Sequence, residues 1–211
     1  MTSTETTISL ARDERRDLAD FLAKLTPEQW DAPTLCTRWR VHDVVAHVYS
    51  YEELSLARVT ARMVRTGFNN DRANAIGVTA LTALSNAELL AYARDHIQPR
   101  GLTAMMGGKI ALTDGMIHQQ DIRRPLGQPR DIPTARLAAA LDTARTAPTL
   151  AATKRIRGLT LKATDLDWTT GDGPIVEGPG EALLMAITGR KGITPELSGP
   201  GLSILAARIT P

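Results

Sequence analysis

The chain has 211 residues, of which 43% are hydrophobic and 23% are charged. It is long enough for one medium-sized domain with a small appendage, and it has enough apolar residues for a proper core. Its net charge of +2 is too small to indicate a surface for nucleic acid or for an anionic membrane. The single cysteine, Cys36, excludes an internal disulfide and a cysteine-cluster metal site.

The N-terminal stretch MTSTETTISLARDERRDLADFL has early acidic residues and no long apolar run, so it is not a signal peptide. No segment of the chain approaches the length of apolar sequence that spans a bilayer. A lone cysteine is consistent with a reducing compartment. We therefore expect a soluble, cytoplasmic protein with no nucleic-acid or membrane partner.

Several stretches have apolar residues at helical spacing. Residues 8–25 predict an amphipathic helix, and Thr26 before Pro27 is typical of the start of a short helical turn. The strongest helical pattern runs over residues 41–63. The segment RTGFNNDRANAIG that follows is rich in glycine, asparagine and charge, which predicts a loop or a broken helix.

Three more helices are predicted before the sequence changes character. Ser85 and Glu88 form a capping box at the start of one helix, which ends at the sequence PRG. Another runs over about residues 103–124 and stops at RPLGQP. The last opens at Pro133 and stops before the next proline.

After about residue 154, apolar and polar residues alternate along the chain. The stretch RIRGLTLKATDLDWTTGDGPIVEG contains alternating apolar residues from Ile156 to Leu166, a turn, and a short second strand, IVEG. A helix ending at Gly189 follows, and the chain closes with a helix or a last strand. We therefore predict a mainly α protein with a small α+β part: an antiparallel four-helix bundle over residues 1–153, followed by a small C-terminal α+β domain over residues 154–211.

Two of the four histidines lie in VHDVVAHVYS. His42 and His47 are five residues apart, which is a poor spacing for two helical residues that share one ligand. His47 lies close to the apolar stripe of its helix, so it is expected to face the bundle interior. His42 falls about 140° away from it around the helix and is expected to lie on the surface.

The stretch LTDGMIHQQDIRRPLG has a second candidate group. Asp114 and His118 are four residues apart, so they lie one above the other on one helix face. Asp121 is three residues further on, and it can hold the other ring nitrogen of His118. With His47 from another helix, Asp114 and His118 form the set of two imidazoles and one carboxylate that is typical of a catalytic metal site.

Zinc is the default ion for such a set, while nickel, manganese and iron remain open. The structural alternative is that each histidine is a hydrogen-bonded core residue. Cys36 lies before a helix and could be a nucleophile, although we expect a structural role for it. Trp30 and Trp39 are interpreted as packing anchors, and His96, in the last turn of a helix, as a surface residue.

The stretches DAPTLCTRWRVHDVVAHV, DGMIHQQDIRRPLG and ATDLDWTTGDGPIVEGPGEALLMAITGR together resemble the mycothiol-dependent maleylpyruvate isomerase family, one of the DinB-like helical bundles. The resemblance runs from about Leu18 to the end of the chain. It implies a four-helix bundle with a divalent metal and a small C-terminal domain. The metal histidines of the family fall on His47 and His118, and its carboxylate ligand falls on Asp114.

One ligand departs from the family pattern. The carboxylate is a glutamate in the isomerase proper, and aspartate is one methylene shorter, so the metal or the helix must shift to accommodate Asp114. The isomerase also uses an arginine of its C-terminal domain to hold a carboxylate. By resemblance, Arg208 is the candidate for that role.

The resemblance implies a metal- and mycothiol-dependent enzyme that acts on a small electrophilic substrate, by isomerisation or by thiol transfer. A divalent cation lowers the pKa of a coordinated thiol or water, so that a nucleophile exists at neutral pH. Two alternatives remain open, namely a hydrolase that uses a metal-bound water and a non-catalytic bundle that binds a small molecule. The sequence leaves open the substrate and the choice between monomer and homodimer.

Overall fold

The structure, a computed structural model, describes residues 6–209. The chain forms two compact units, one ending at Arg130 and the other beginning at Asp131. The sequence predicted a division between residues 153 and 154, where the amino-acid pattern changes. By contacts, the helical residues before that point group with the sheet that follows them. The predicted domain boundary itself stays a prediction.

The first unit is built of helices. Two helix starts agree with their sequence signals, since Thr26 caps the helix that begins at Pro27, and Ser85 and Glu88 form the predicted capping box. The helices of this unit are α1 Thr7–Leu22, α2 Pro27–Trp30, α3 Val41–Tyr49, α4 Leu56–Arg65, α5 Asn70–Leu81, α6 Asn86–Asp95 and α7 Lys109–Arg123. Helices α1 and α3 each pack against both α6 and α7. These four form the bundle, which confirms the predicted mainly α fold.

Helix α3 is buried on nearly every face. Of its residues, Asp43 alone is not buried. Its valines and Tyr49 join the main core of the unit, together with Leu18 and Leu22 of α1 and Leu89 of α6. Since each fully buried large aliphatic side chain contributes roughly 1.5–3 kcal/mol, the position of α3 is strongly fixed.

The prediction of one helix over residues 41–63 is wrong. Helix α3 ends at Tyr49, and α4 begins only at Leu56, behind its cap residue Ser55. Between them the chain turns and the side chain of Glu52 is buried, while the apolar spacing continues on both sides and hides the break. In the glycine- and asparagine-rich segment, residues 66–69 separate α4 from α5, which begins behind the side-chain cap of Asn69. This agrees with the predicted broken helix.

The helix predicted from residue 103 begins later, at Lys109. The residues before it, Met106, Gly107 and Gly108, have positive φ angles of 55°, 68° and 85°, which a right-handed helix cannot contain. A Cβ atom at Gly108 would lie 2.7 Å from the side chain of Ile8 in α1. Both the backbone angle and the close approach of α1 therefore require glycine there.

A buried ion pair crosses the interior of the first unit. Arg15 of α1 donates a hydrogen bond of 2.5 Å to Glu52, and both side chains are almost fully buried. Arg15 also donates to the backbone carbonyl of His96 at 2.9 Å and to the hydroxyl of Thr103 at 3.1 Å. The second oxygen of Glu52 accepts from the backbone N–H of Arg100 at 2.9 Å. The pair thus joins α1, the turn after α3 and the chain that follows α6.

The second unit combines helices with a small sheet. Its elements are α8 Thr134–Ala144, α9 Ala152–Ile156, β1 Thr160–Ala163, β2 Thr169–Thr170, β3 Ile175–Gly178, α10 Gly180–Ile187 and α11 Leu202–Ile209. Helix α10 packs against α8 and the sheet, and α11 packs against α9 and β3. The backbone N–H of Gly180 donates to the Asp165 side chain at 2.8 Å, which fixes the start of α10.

The sheet has the strand order β2-β1-β3. Strand β1 pairs antiparallel with β2 and parallel with β3, with Leu161 opposite Val176 in the parallel pair. The predicted second strand, IVEG, is confirmed as β3. The first strand is shorter than the alternation predicted, because Ile156 ends helix α9, and the closing segment is a helix rather than a strand.

Among residues 6–209, no helix taken singly has the length and apolar character to cross a membrane. Helices α5 and α6 meet those criteria only as a pair, and they are bent by 109° at the break between them.

The buried Arg15–Glu52 pair predicts that substitutions at two neighbouring arginines lower the free energy of unfolding by very different amounts. Arg15→Met leaves the Glu52 carboxylate buried without its cation, so we expect a loss of about 3–5 kcal/mol in the free energy of unfolding. Arg16→Met is the matched control, since Arg16 pairs with Asp13 at the surface and its side chain is 49% exposed. That substitution is expected to cost less than about 1 kcal/mol. Urea unfolding of both variants measures the difference, and equal losses would contradict it.

Candidate metal centre

Helices α3 and α7 pack against each other and bring three predicted site residues together. His47 comes from α3, while Asp114 and His118 lie one turn apart on α7. Asp114 Oδ1 is 3.9 Å from His47 Nε2 and 3.5 Å from His118 Nε2. One ligand atom from each of the three residues lies within 4.8 Å of the other two.

The two separations from Asp114 are close to those around one small divalent cation. Nitrogen and oxygen ligands about 2.0–2.2 Å from a tetrahedral zinc ion lie roughly 3.3–3.6 Å from each other. The separations from Asp114 Oδ1 to the two imidazole nitrogens are already within a few tenths of an ångström of that range. The shorter aspartate side chain therefore reaches the space between the two histidines.

The three side chains differ in their exposure to solvent. His47 and His118 are 8% and 10% exposed, whereas Asp114 is 37% exposed. The candidate set thus combines two buried imidazoles with one partly exposed carboxylate. Three protein ligands with an accessible side are typical of catalytic rather than structural zinc sites.

Asp121 fixes the orientation of His118, as the sequence predicted. Its fully buried carboxylate accepts a hydrogen bond of 2.9 Å from His118 Nδ1. This bond places the proton of a neutral His118 on Nδ1 and leaves the lone pair on Nε2, which faces Asp114 and His47. The backbone carbonyl of Asp121 accepts from the N–H of Leu35 at 3.1 Å, which ties α7 to the chain before α3.

The surroundings of His118 shift its pKa. Burial by itself lowers the pKa, but the charge of Asp114 and the hydrogen bonds to Asp114, Asp121 and Cys36 outweigh it and raise the pKa of His118 well above its usual value. Without a cation, the folded chain therefore holds a proton on His118 more tightly than the unfolded chain does.

The contacts of Cys36 and Trp39 could not be read from the sequence. Cys36 Sγ lies 3.2 Å from Asp121 Oδ2, to which it donates, and 3.8 Å from His118 Nδ1. The ring of Trp39 lies 4.9 Å from the ring of His47. Both residues belong to the loop before α3, and their position just ahead of the histidine-bearing helix is the one sequence signal that could have associated them with the site. Trp30 is buried in the core, as its interpretation as a packing anchor requires.

A cavity of about 450 Å³ opens beside the same loop. Cys36, Arg38 and Trp39 line it on one side, and Arg72 and Asn74 of α5 on the other. Because Cys36 contacts His118 and Asp121, and Trp39 contacts His47, the cavity wall is in direct contact with the candidate ligands. It is large enough for a small molecule.

Two histidines are buried, contrary to the sequence interpretation. His42 is 3% exposed, its Nε2 is 3.0 Å from the carbonyl oxygen of Leu84, and its ring meets Trp30 edge-on. His96 lies at the predicted helix end, but it is 5% exposed and its ring stacks on Tyr92. The expectation that His42 and His96 lie on the surface is wrong. Neighbouring segments also cover the helix faces outside the apolar stripe, and these two histidines lie on such faces.

Arg208 lies in α11 of the second unit. Its guanidinium donates to the backbone carbonyls of Arg155 and Arg157, at 2.7 and 2.8 Å. These bonds hold the end of α11 against the C-terminal end of α9. The role of Arg208 in holding a substrate carboxylate stays a prediction.

The fold and the site define a helical bundle with a candidate metal centre between two of its helices. Residues 11–172 match the family described as the mycothiol maleylpyruvate isomerase N-terminal domain. The match covers well over half of the chain, so this protein belongs to that family.

Two solved structures share the fold. They are the mycothiol-dependent maleylpyruvate isomerase and a histidine-to-alanine mutant of it, with TM-scores of 0.62 and 0.61. Each is 16% identical to this chain, and each comparison covers 92% of this chain and 91% of the other. No curated protein sequence matches the chain.

The raised pKa of His118 predicts how the stability of the metal-free protein, kept so by a chelator, depends on pH. An unfolded histidine titrates near pH 6.5, so the stability that His118 contributes is fully present below about that pH. It is lost as the pH rises through the higher folded pKa. We expect the difference in unfolding free energy between the wild type and His118→Gln to be largest near pH 6 and to shrink at alkaline pH. Denaturant unfolding at several pH values measures it, and a constant difference would contradict the prediction.

Proposed function

We propose that this protein is a divalent-metal-dependent enzyme that uses mycothiol to act on a small electrophilic substrate, as an isomerase or a thiol transferase. The observation that carries the proposal is the convergence of His47 Nε2, His118 Nε2 and Asp114 Oδ1 from two packed helices. The thiol comes from the family, whose solved members are described as mycothiol-dependent.

Each ligand has a distinct task in this proposal. His47 and His118 supply neutral nitrogen lone pairs from the buried side, and Asp114 supplies a negative charge from the solvent side. A divalent cation held by these three residues, for which zinc is the default, would lower the pKa of a thiol or water beside it. Asp121 holds the proton on Nδ1 of His118, so that Nε2 stays available.

The cavity beside Cys36 and Trp39 is the proposed substrate pocket. Its walls place Arg38 and Arg72 around a volume of about 450 Å³, and Arg38 is only loosely paired, with its nearest carboxylate oxygen on Asp71 at 3.9 Å. Guanidinium groups bind carboxylates through paired hydrogen bonds. A small electrophile that carries a carboxylate would thus be held in this cavity by the two guanidinium groups, next to the residues that contact His47 and His118.

The metal part of the proposal is tested by elemental analysis of protein purified without chelator. We expect about one divalent ion per chain in the wild type and none in His47→Ala. His42→Ala is the matched control, because it removes a buried histidine from the same helix without touching the candidate ligands. Chelator should lower the unfolding free energy of the wild type by up to about 4 kcal/mol, the linkage expected at a free metal concentration of about 1,000 Kd, and should leave His47→Ala unchanged.

The thiol part is tested on cobalt-substituted protein. Adding mycothiol is expected to change the visible spectrum of the cobalt ion, because a sulfur ligand enters its coordination sphere. A spectrum that responds to substrate analogues but not to mycothiol would favour a hydrolase with water as the nucleophile. Wild-type protein with no metal, and with a stability that chelator does not alter, would contradict the proposal and favour a non-catalytic bundle.

A further inference from the structure

His118 has a second set of neighbours around its other ring nitrogen. Cys36 Sγ, His118 Nδ1 and Asp121 Oδ2 form a compact triangle with sides of 3.2, 3.8 and 2.9 Å. These atoms lie within 4.8 Å of one another, and they are a separate group from the one formed by His47, Asp114 and His118 Nε2. The group combines a thiol, an imidazole and a carboxylate, each of which becomes a metal ligand once it gives up its proton.

The triangle is close to the size that a single ion requires. Sulfur at about 2.3 Å and nitrogen or oxygen at about 2.0–2.2 Å from a tetrahedral zinc ion lie roughly 3.3–3.7 Å apart, and a larger ion such as Cd²⁺ requires a somewhat wider triangle. Two of the three sides are within a few tenths of an ångström of that range. The third, between His118 Nδ1 and Asp121 Oδ2, must open by about half an ångström as its hydrogen bond is replaced by two bonds to the ion.

The position is also accessible. Asp121 is fully buried, but Cys36 is only half-buried and lines the cavity of about 450 Å³. An ion entering through the cavity would meet the sulfur first and the imidazole and carboxylate behind it. The accessible sulfur of Cys36 provides an entry path, and the buried imidazole and carboxylate behind it complete the ligand set that a metal site needs.

We propose that Cys36, His118 and Asp121 form a second cation site, which takes a thiophilic divalent ion such as Cd²⁺ and is distinct from the site of the proposed function. Thiolate selects soft ions. Binding releases the thiol proton of Cys36 to solvent and leaves His118 as a neutral ring whose one proton is on Nε2, while any further ring proton also goes to solvent. The ion exchanges water ligands for bonds to sulfur, nitrogen and oxygen. No oxidation or reduction takes place.

The two sites share one imidazole ring, which makes them exclude each other. Occupying both would require His118 to lose both ring protons and would hold two dications on opposite edges of one ring, where they repel. A thiophilic ion beside Cys36 therefore displaces the cation held at Nε2. The expected consequence is inhibition by thiophilic metals, which removal of the sulfur relieves.

The direct test is a titration of the metal-free protein with Cd²⁺. The ultraviolet absorption of the thiolate-to-cadmium charge-transfer band is measured after each addition. Since Cys36 is the only cysteine in the sequence, any such band reports on this sulfur. We expect a band that saturates at one ion per chain. Absence of the band overturns the proposal.

The ligand set is tested with two matched carboxylate substitutions on α7. Asp121→Asn is expected to weaken Cd²⁺ binding at Cys36 by tenfold or more, while Asp114→Asn, the same change on the same helix, is expected to keep the band with an affinity no weaker than that of the wild type, since it weakens only the competing site. Equal affinity in Asp121→Asn and the wild type would mean binding by the thiol alone and would overturn the proposal. If Asp121→Asn does not fold, the two ring ¹⁵N resonances of His118 in the wild type decide, since direct bonding of Cd²⁺ must shift Nδ1 more than Nε2, and the reverse would overturn the proposal.

The two sites can fail independently. His47→Ala should keep the charge-transfer band, and its loss there would overturn the second site. Cys36→Ser should lose the band and still bind one Cd²⁺ at the ligands of the proposed function. A Cys36→Ser variant that binds no ion would count against the proposed function and would leave the second site supported by the band in the wild type.

Discussion

The buried carboxylate of Asp121 is the contact on which the candidate centre depends. It accepts hydrogen bonds from His118 Nδ1 and from the thiol of Cys36, while its own backbone carbonyl accepts from Leu35. A buried carboxylate that lost these donors would bear a large desolvation cost. The loop before α3, the ring of His118 and helix α7 are therefore held in one arrangement, and His47 follows at a fixed distance on α3.

A second buried ionic contact fixes connections between helices elsewhere in the bundle. Arg15 and Glu52 are both buried, and their pairing with Thr103 and with backbone groups of residues 96–100 holds the turn after α3. Such pairs contribute little net stability compared with apolar packing, but breaking one partner is costly. Their effect is to specify one arrangement of connections between helices that apolar packing alone would fix less uniquely.

Helical spacing and capping signals predicted the bundle, the capped start of α6 and the pairing of Asp114 with His118, because each of these depends on residues near one another in the sequence. The break after Tyr49 could not be predicted in this way, since it depends on Glu52 reaching Arg15 of a distant helix. The burial of His42 was missed for a related reason, because its cover comes from Trp30 and from the carbonyl of Leu84, outside α3.

The contacts of Cys36 at the candidate site could not be predicted from the sequence either. The sequence placed it before a helix, but its neighbours His118 and Asp121 follow more than eighty residues later in the chain. Only the packing of α3 on α7 brings them together. The part of the site that can be read from the sequence is thus the part carried on one helix, with the addition of His47, whose inward direction follows from the phase of its own helix.

Aspartate in place of glutamate has a consequence for the charge of the metal-free centre. The short side chain of Asp114 keeps its carboxylate 3.5 Å from His118 Nε2, while Asp121 contacts the other nitrogen. His118 therefore lies between two carboxylates, and its raised pKa follows from that position despite burial. Any cation that binds at Nε2 must displace a proton that this arrangement stabilises, so the apparent metal affinity rises with pH. The carboxylates that attract the cation are the same ones that hold the competing proton, and their balance sets the pH range in which the centre can be loaded.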